Sequence, residues 1–223
     1  MRHAIITGGS SGIGLAIACQ LAQQGNVNLS IIARSPTKLQ VAQTQIQEAF
    51  ADAQQQCLTL TADVAQRLEI EQAIATAIEK FGAPDLLITS AGIAHPGYFQ
   101  ELPLEIFEQT MAVNYFGTLY AIRAALPAMQ TQNQGQIVMI SSGAGLVGLF
   151  GYTPYSPSKF ALRGLAESLR GELKSQGIQV AITYPPDTDT PQLAAENLTK
   201  PPETKLITET AQMWTAEQVA ATI

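Results

Sequence analysis

Tyr155 and Lys159 stand four residues apart in Tyr155-Ser156-Pro157-Ser158-Lys159, which puts a phenol and an ammonium on one face of a helix started by Thr153-Pro154. A tyrosine of pKa about 10 exchanges protons poorly near neutrality. A cation held beside it favours the phenolate and lowers that value, so proton transfer becomes practical. Upstream, Ser142 is expected at a strand end, where its hydroxyl can hydrogen-bond a carbonyl oxygen as charge develops there. Each also has a plain structural reading: the Tyr/Lys pair as an ordinary helix face, Ser142 as a turn residue, and Asn114, within Met111-Ala112-Val113-Asn114-Tyr115, as a residue at a helix kink.

A second group lies near the N-terminus, where Thr7-Gly8-Gly9-Ser10-Ser11-Gly12-Ile13-Gly14 follows an apolar run and opens a helical pattern. Glycines permit positive φ and let backbone N–H groups approach a pyrophosphate, while the helix N-terminus adds partial positive charge. That context, strand before and helix after, favours a nucleotide site over a tight turn that binds nothing.

Elements must bring the two groups together. Six short runs rich in Ile, Val and Leu read as strands: His3–Thr7, Asn28–Arg34, Cys57–Asp63, Leu86–Ser90, Gln136–Ser141 and Gln179–Tyr184. Helical patterns fill the gaps, as in a parallel sheet covered on both faces. Leu15, Ala18, Cys19 and Ala22 give the first helix a sheet-facing stripe, and Gly25 ends it. Pro36 and Pro103 suit early helix positions. After Tyr184, Pro185, Pro186, Pro191, Pro201 and Pro202 punctuate short helical pieces around Gln192–Leu198 and Leu206–Gln212, a pattern that suits a lid at about 186–213, and Thr215-Ala216-Glu217 begins a further helix.

The whole of 1–223 reads as one domain, because its 223 residues, 46% of them hydrophobic, can bury a sizeable core, and no repeat or linker divides it. A net charge of −6 with no basic run argues against nucleic acid. Cys19 and Cys57 offer neither a disulfide framework nor metal-ligand spacing and suit packed thiols in a reducing compartment, so a cytoplasmic location is expected. The uncharged stretch Ala124–Ser158 is broken by Pro127, Gly135 and several Gln and Ser residues before it could span a bilayer.

The Gly-x-x-x-Gly-x-Gly spacing of Gly8, Gly12 and Gly14, followed by Asn114, Ser142, Tyr155 and Lys159 in order, resembles the short-chain dehydrogenase/reductase family. The resemblance implies a doubly wound Rossmann fold of strand order 3-2-1-4-5-6, with a closing seventh strand as an element that Ile223 arrives too early to supply. It implies a nicotinamide cofactor bound by Gly8, Ser10, Ser11, Gly12, Ile13 and Gly14, with Asp63 and Val64 at the adenine and Ala91 and Gly92 behind its ribose. Ser90 stands where the family usually has Asn. An NAD-binding fold usually ends its second strand with an acid, which would repel a 2′-phosphate. Here Ala33 precedes Arg34, with Lys38 one turn on, so NADPH/NADP+ is the expected cofactor, against a solvated edge as the plain alternative. In the family's mechanism, hydride reaches a ketone carbon while Tyr155 donates the proton and Ser142 polarises the carbonyl; Lys159 grips the nicotinamide ribose, and Asn114 links it through water to solvent. Pro185, Thr188 and Thr190 occupy the segment that meets the carboxamide, with Pro186 and Thr188 departing from the family pattern.

Within the family, Gly148–Tyr155, Tyr184–Pro191 and the segments from Glu196 to Thr210 resemble 3-ketodihydrosphingosine (3-dehydrosphinganine) reductases. This implies NADPH-dependent reduction of a long-chain amino-ketone lipid in sphingolipid synthesis. Leu146, Val147, Leu149, Phe150 and Tyr152, with Leu193, Leu198, Leu206 and Ile207 on the lid, would line its path or serve as ordinary core. One of Asp187, Asp189 and Glu196 would meet its ammonium. Peripheral membrane contact through the lid and a homodimer or homotetramer, joined by helices about Leu104–Met129 and Tyr155–Ser175, are further implications. Reduction of another ketone or alcohol, and a non-catalytic NADP(H)-binding sensor, are the competing readings.

Overall fold

Apolar runs without helical period must be covered on both faces, and parallel strands flanked by helices achieve this. The computed structural model of the chain describes residues 1–208 and 212–223. Strands β1 (Arg2–Thr7), β2 (Val27–Ala33), β3 (Cys57–Thr61), β4 (Leu86–Thr89), β5 (Gly135–Ile140) and β6 (Ile178–Thr183) form one sheet of order β3-β2-β1-β4-β5-β6. All its pairings are parallel. This is the doubly wound Rossmann arrangement. Adjacent residues on β1 serve opposite faces, Ile5 packing with Ile32, Leu87 and Ile137, and Ile6 with Leu29, Ile31 and Ile88.

Helices α1 (Gly12–Gln24), α2 (Pro36–Glu48) and α3 (Arg67–Phe81) follow the first three strands. Pro36 is the first residue of α2, where its missing N–H costs nothing, and Ser35 caps that helix by accepting from the Lys38 N–H at 3.3 Å. The buried stripe of α1 is Gly14, Ile17, Ala18 and Ala22, whereas the expected Leu15 and Cys19 are only half-buried. Glycine and alanine carry that stripe because α1 lies close against the sheet, and a stripe without side-chain bulk leaves little hydrophobic periodicity to read.

The long apolar stretch after β4 becomes α4 (Leu104–Met111), a π-turn over Ala112–Phe116, and α5 (Gly117–Gln132). Pro103 lies just outside, as the cap of α4. Helix α6 (Tyr155–Leu173) precedes β6. Beyond β6, a two-residue strand β7 (Thr188–Asp189) leads to α7 (Pro191–Thr199) and α8 (Pro202–Thr208). β7 pairs with β8 (Trp214–Thr215), and the latter runs into α9 (Ala216–Ala220) through a Thr215/Gln218 capping box. The expected piece at Leu206–Gln212 is seen as the end of α8; Glu209, Thr210 and Ala211 lie outside the described residues.

Because the strands are parallel, the turns after Thr7, Ala33, Thr89, Ile140 and Thr183 gather at one sheet edge. The strand order reverses between β1 and β4, and a crevice opens there.

Candidate functional site

A cleft of about 300 Å³ runs along this edge from Arg34 and Lys38 at one end to Tyr155, Lys159 and Glu196 at the other. Its floor at the first end is the β1–α1 turn. Gly8 has φ +73°, and a Cβ there would sit 2.6 Å from the Ala91 nitrogen, so only glycine lets the turn lie against the strand beside it. Gly14 is buried away from the cleft, where a Cβ would come 2.5 Å from the Gly8 carbonyl oxygen, so it packs helix on loop and does not line the cleft. Gly8, Ser10, Ser11, Gly12 and Ile13 do line it. Ser11 precedes α1 in extended conformation without capping it, and no acid sits in the first turn, which leaves the helix N–H end ready for an anion.

Arg34 and Lys38 are exposed and face the same cleft. β2 stops at Ala33 and α2 starts at Pro36, so Arg34 lies in the turn between them and not one turn from Lys38 on a shared helix. Val64, Ala91 and Gly92 line the cleft as expected, and so does Ser90. Asp63 does not. Its carboxylate accepts from the Ala65 N–H at 3.0 Å and its own N–H donates to Glu69 at 2.8 Å, so it fastens the turn into α3. A glycine-rich turn, an open helix terminus and two cations with no acid at the strand end fit the phosphates of a dinucleotide.

At the other end, Tyr155 opens α6 and Ser142 caps a short 3₁₀ turn after β5 by accepting from the Ala144 N–H at 3.2 Å. Ser142 and Gln192 line the cleft with the phenol and both favour its ionised form. The Lys159 Nζ lies 5.4 Å from the Tyr155 ring centre and donates to the Ile140 carbonyl at 3.0 Å. Asn114, wholly buried in the π-turn, clamps Ile93 by accepting from its N–H at 2.8 Å and donating to its carbonyl at 2.9 Å, and also donates to Ser158 at 2.9 Å. It lies behind the cleft wall. A Cβ on Gly92 would sit 3.3 Å from the Asn114 oxygen and 3.6 Å from the Lys159 Nζ, so glycine leaves these two groups and the cleft in one another's reach.

Burial dominates the electrostatics. It pushes the Tyr155 phenol well above the usual tyrosine range, with Glu196 adding to the rise and Ser142 and Gln192 opposing it. The expectation of a lowered phenol pKa is therefore corrected: burial, with Glu196, sets the direction upward. Burial also pulls Lys159 down to about 8, and Glu196 partly restores it.

The segment after β6 closes the same cleft end, from Pro185 to Glu196. Pro185, Thr188 and Thr190 line the cleft, but Thr190 spends its oxygen accepting from the Leu193 N–H at 3.2 Å as the cap of α7, and the Thr188 hydroxyl donates to the Pro186 carbonyl at 2.8 Å. The Thr190 hydroxyl proton stays available to an acceptor in the cleft. Glu196 is buried and accepts from the Tyr152 hydroxyl at 2.6 Å and from the Gln192 amide at 2.9 Å. Gln192, and Tyr152 as a polar group, escaped the sequence reading. The four-residue spacing of Gln192 and Glu196 behind the Thr190-Pro191 cap was the available signal. Leu149 and Leu193 line the cleft, whereas Leu146, Val147, Phe150, Leu198, Leu206 and Ile207 are exposed and not core.

The fold and the family comparison define an oxidoreductase: the family described as short chain dehydrogenase matches residues 2–201, and the chain belongs to it. Enzymes of this family use NAD(P)(H). Its relatives are specific. The chain is 45% identical to 3-ketodihydrosphingosine reductase of Bos taurus, over 99% of this chain and 67% of that one. It is 46% identical to 3-dehydrosphinganine reductase of Danio rerio, over 98% of this chain and 66% of that one. It thus spans about two thirds of the length of these curated relatives. Among solved structures, levodione reductase matches with a TM-score of 0.90 at 25% identity, covering 99% of this chain and 88% of that one.

Proposed function

We propose that this chain reduces 3-ketodihydrosphingosine to dihydrosphingosine with NADPH in sphingolipid synthesis, residues 1–223 acting as one catalytic unit under a lid at about 186–213. The observation that carries the chemistry is that Tyr155, Lys159 and Ser142 line one end of a cleft whose other end presents Arg34 and Lys38. The printed names of the relatives support the identity of the ketone.

NADPH, when bound in this cleft, would supply the hydride for the carbonyl carbon. Tyr155, held as a neutral phenol by its burial, donates the proton to the carbonyl oxygen, and Ser142 orients and polarises that oxygen by a second hydrogen bond. Lys159 holds the ribose side of the nicotinamide and supplies positive charge as the phenol gives up its proton. Asn114 fixes the Ile93 backbone and the α6 start, so that the wall behind Lys159 keeps its shape. Arg34 and Lys38 hold the 2′-phosphate, while the β1–α1 turn and Val64, Ala91, Gly92, Pro185, Thr188 and Thr190 cradle the rest.

The test is NADPH oxidation with 3-ketodihydrosphingosine beside simple ketones. Tyr155→Phe is expected to lower turnover by about 10²–10⁴-fold, the range of general acid catalysis, while NADPH binding, read by fluorescence, persists. Turnover of simple ketones alone would shift the reading to another substrate. NADPH binding without turnover of any ketone would make the protein a sensor.

A further inference from the structure

We propose that Glu196, presented by the lid helix and held by Tyr152 and Gln192, is the specificity-determining residue that selects ketones bearing an ammonium group on the carbon beside the carbonyl. The inference rests on the ketone reduction proposed above and adds the charge of the substrate to it.

The cleft is electrically polarised. Arg34 and Lys38 line the phosphate end, and the acids lining the chemical end are Asp187 and Glu196. Glu196 is the buried one, at 7% exposure, while Asp187 is half-buried and Asp189 is exposed and off the cleft. A buried carboxylate is costly unless paired. Glu196 has two neutral donors and, among the described residues, no ion pair: the salt bridges join Arg67 to Glu71 and Arg163 to Glu167. The nearby cation, Lys159, is turned to the Ile140 carbonyl. A carboxylate has about four acceptor positions, and two are used, so room remains for a donor that the protein does not provide.

The distance along the network suits a neighbouring carbon. Gln192 donates to Glu196 at 2.9 Å and lines the same cleft end as Tyr155, and Tyr152, the other donor to Glu196, packs its ring 5.7 Å from that of Tyr155, so the carboxylate stands one side chain from the phenol. Its charge reaches both Tyr155 and Lys159, and a cation seated beside it would be felt at the reacting pair.

The experiment compares kcat/KM for three ketones of equal chain length: the 2-amino ketone, its 2-hydroxy counterpart and the unsubstituted one. The wild-type protein is expected to prefer the amine by about 10–100-fold, the range of a hydrogen bond to a charged group. Glu196→Gln should bring the kcat/KM ratio of the amine to each neutral ketone down to about one, whatever the absolute rates; Glu196→Asp, which keeps the charge but withdraws it, should retain part of the preference. NADPH binding reports folding of each variant. An equal loss on all three ketones would mark Glu196 as structural and overturn the proposal. So would a wild-type protein indifferent to the amine, a result that decides the matter even where the variants fail to fold and that leaves ketone reduction standing. Turnover of none of the three would defeat the reductase reading itself.

Discussion

Tyr155 and Lys159 sit where water is scarce, and desolvation acts on them in opposite senses: the phenol keeps its proton more tightly and the ammonium gives its proton up more easily. A protonated phenol beside a protonated lysine is the arrangement that reduction needs. Tyr155 keeps its proton far into alkali, so the lysine sets the alkaline limit. The protonated fraction of Lys159 falls as pH climbs past about 8, so kcat/KM for reduction is expected to decline with unit slope above that value, measured as a pH–rate profile. The residues of the pair, with Ser142 and the glycine turn, were legible because their spacing is local. The direction of the phenol's shift was not, since it depends on neighbours brought from α7 and from β5. Asp63 misled for the same reason: its sequence neighbours do not reveal that Ala65 and Glu69 engage it.

At the scale of elements, the β1–α1 turn is the part with least freedom. Gly8→Ala would place a methyl against the backbone of Ala91 in a positive-φ conformation, and backbone cannot step aside as a flexible side chain does. We expect this variant to lose NADPH affinity and at least about 2 kcal/mol of stability, measured by denaturant unfolding with and without NADPH. Gly82→Ala, with no atom within 4 Å of its added Cβ but φ +85°, isolates the conformational part and should cost less. Strands were readable from sequence as unbroken apolar runs, because both of their faces are buried. The π-turn around Asn114 was not, since one extra residue in a helix leaves no periodic mark; the structure bears out the reading of Asn114 as a residue at a helix irregularity. The short helices after β6 were legible from their prolines, but which acid there turns inward depended on the pitch of α7.

The molecule as a whole carries a titrating strut far from the cleft. His3, on β1, accepts from the Ser30 hydroxyl through Nε2 when Nδ1–H donates to the Gly82 carbonyl at 2.8 Å, which ties β1 to β2 and to the end of α3. Burial lowers its pKa below 6.5, against the raising effects of the Gly82 bond and Asp85. The unfolded chain therefore binds the proton first, and the stability that neutral His3 contributes is full above about pH 6.5 and is lost as pH falls through the folded value. Chemical unfolding between pH 7.5 and 5 should show this slope, and His3→Gln should flatten it. Assembly and membrane contact belong to this scale as proposals. The exposed Leu198, Leu206 and Ile207 suit peripheral attachment of the lid to lipid, to be read by vesicle flotation, and a dimer or tetramer by light scattering. Among the described residues, no helix is long and apolar enough to cross a membrane. The parallel sheet was legible from alternating strand and helix, whereas its strand order came with the family resemblance, among the few windings such an alternation admits.

The loop that precedes α6 is fastened to the lid at two points, Thr204 donating to the Phe150 carbonyl at 3.0 Å and Tyr152 to Glu196 at 2.6 Å, immediately before Tyr155. Prying the lid upward thus pulls on the same few residues that aim the phenol. A tail that wedges under the lid would convert its own adhesion into alignment at the reacting end, so trimming that tail is expected to slow kcat itself as well as raise KM, in a series of ketones shortened two carbons at a time.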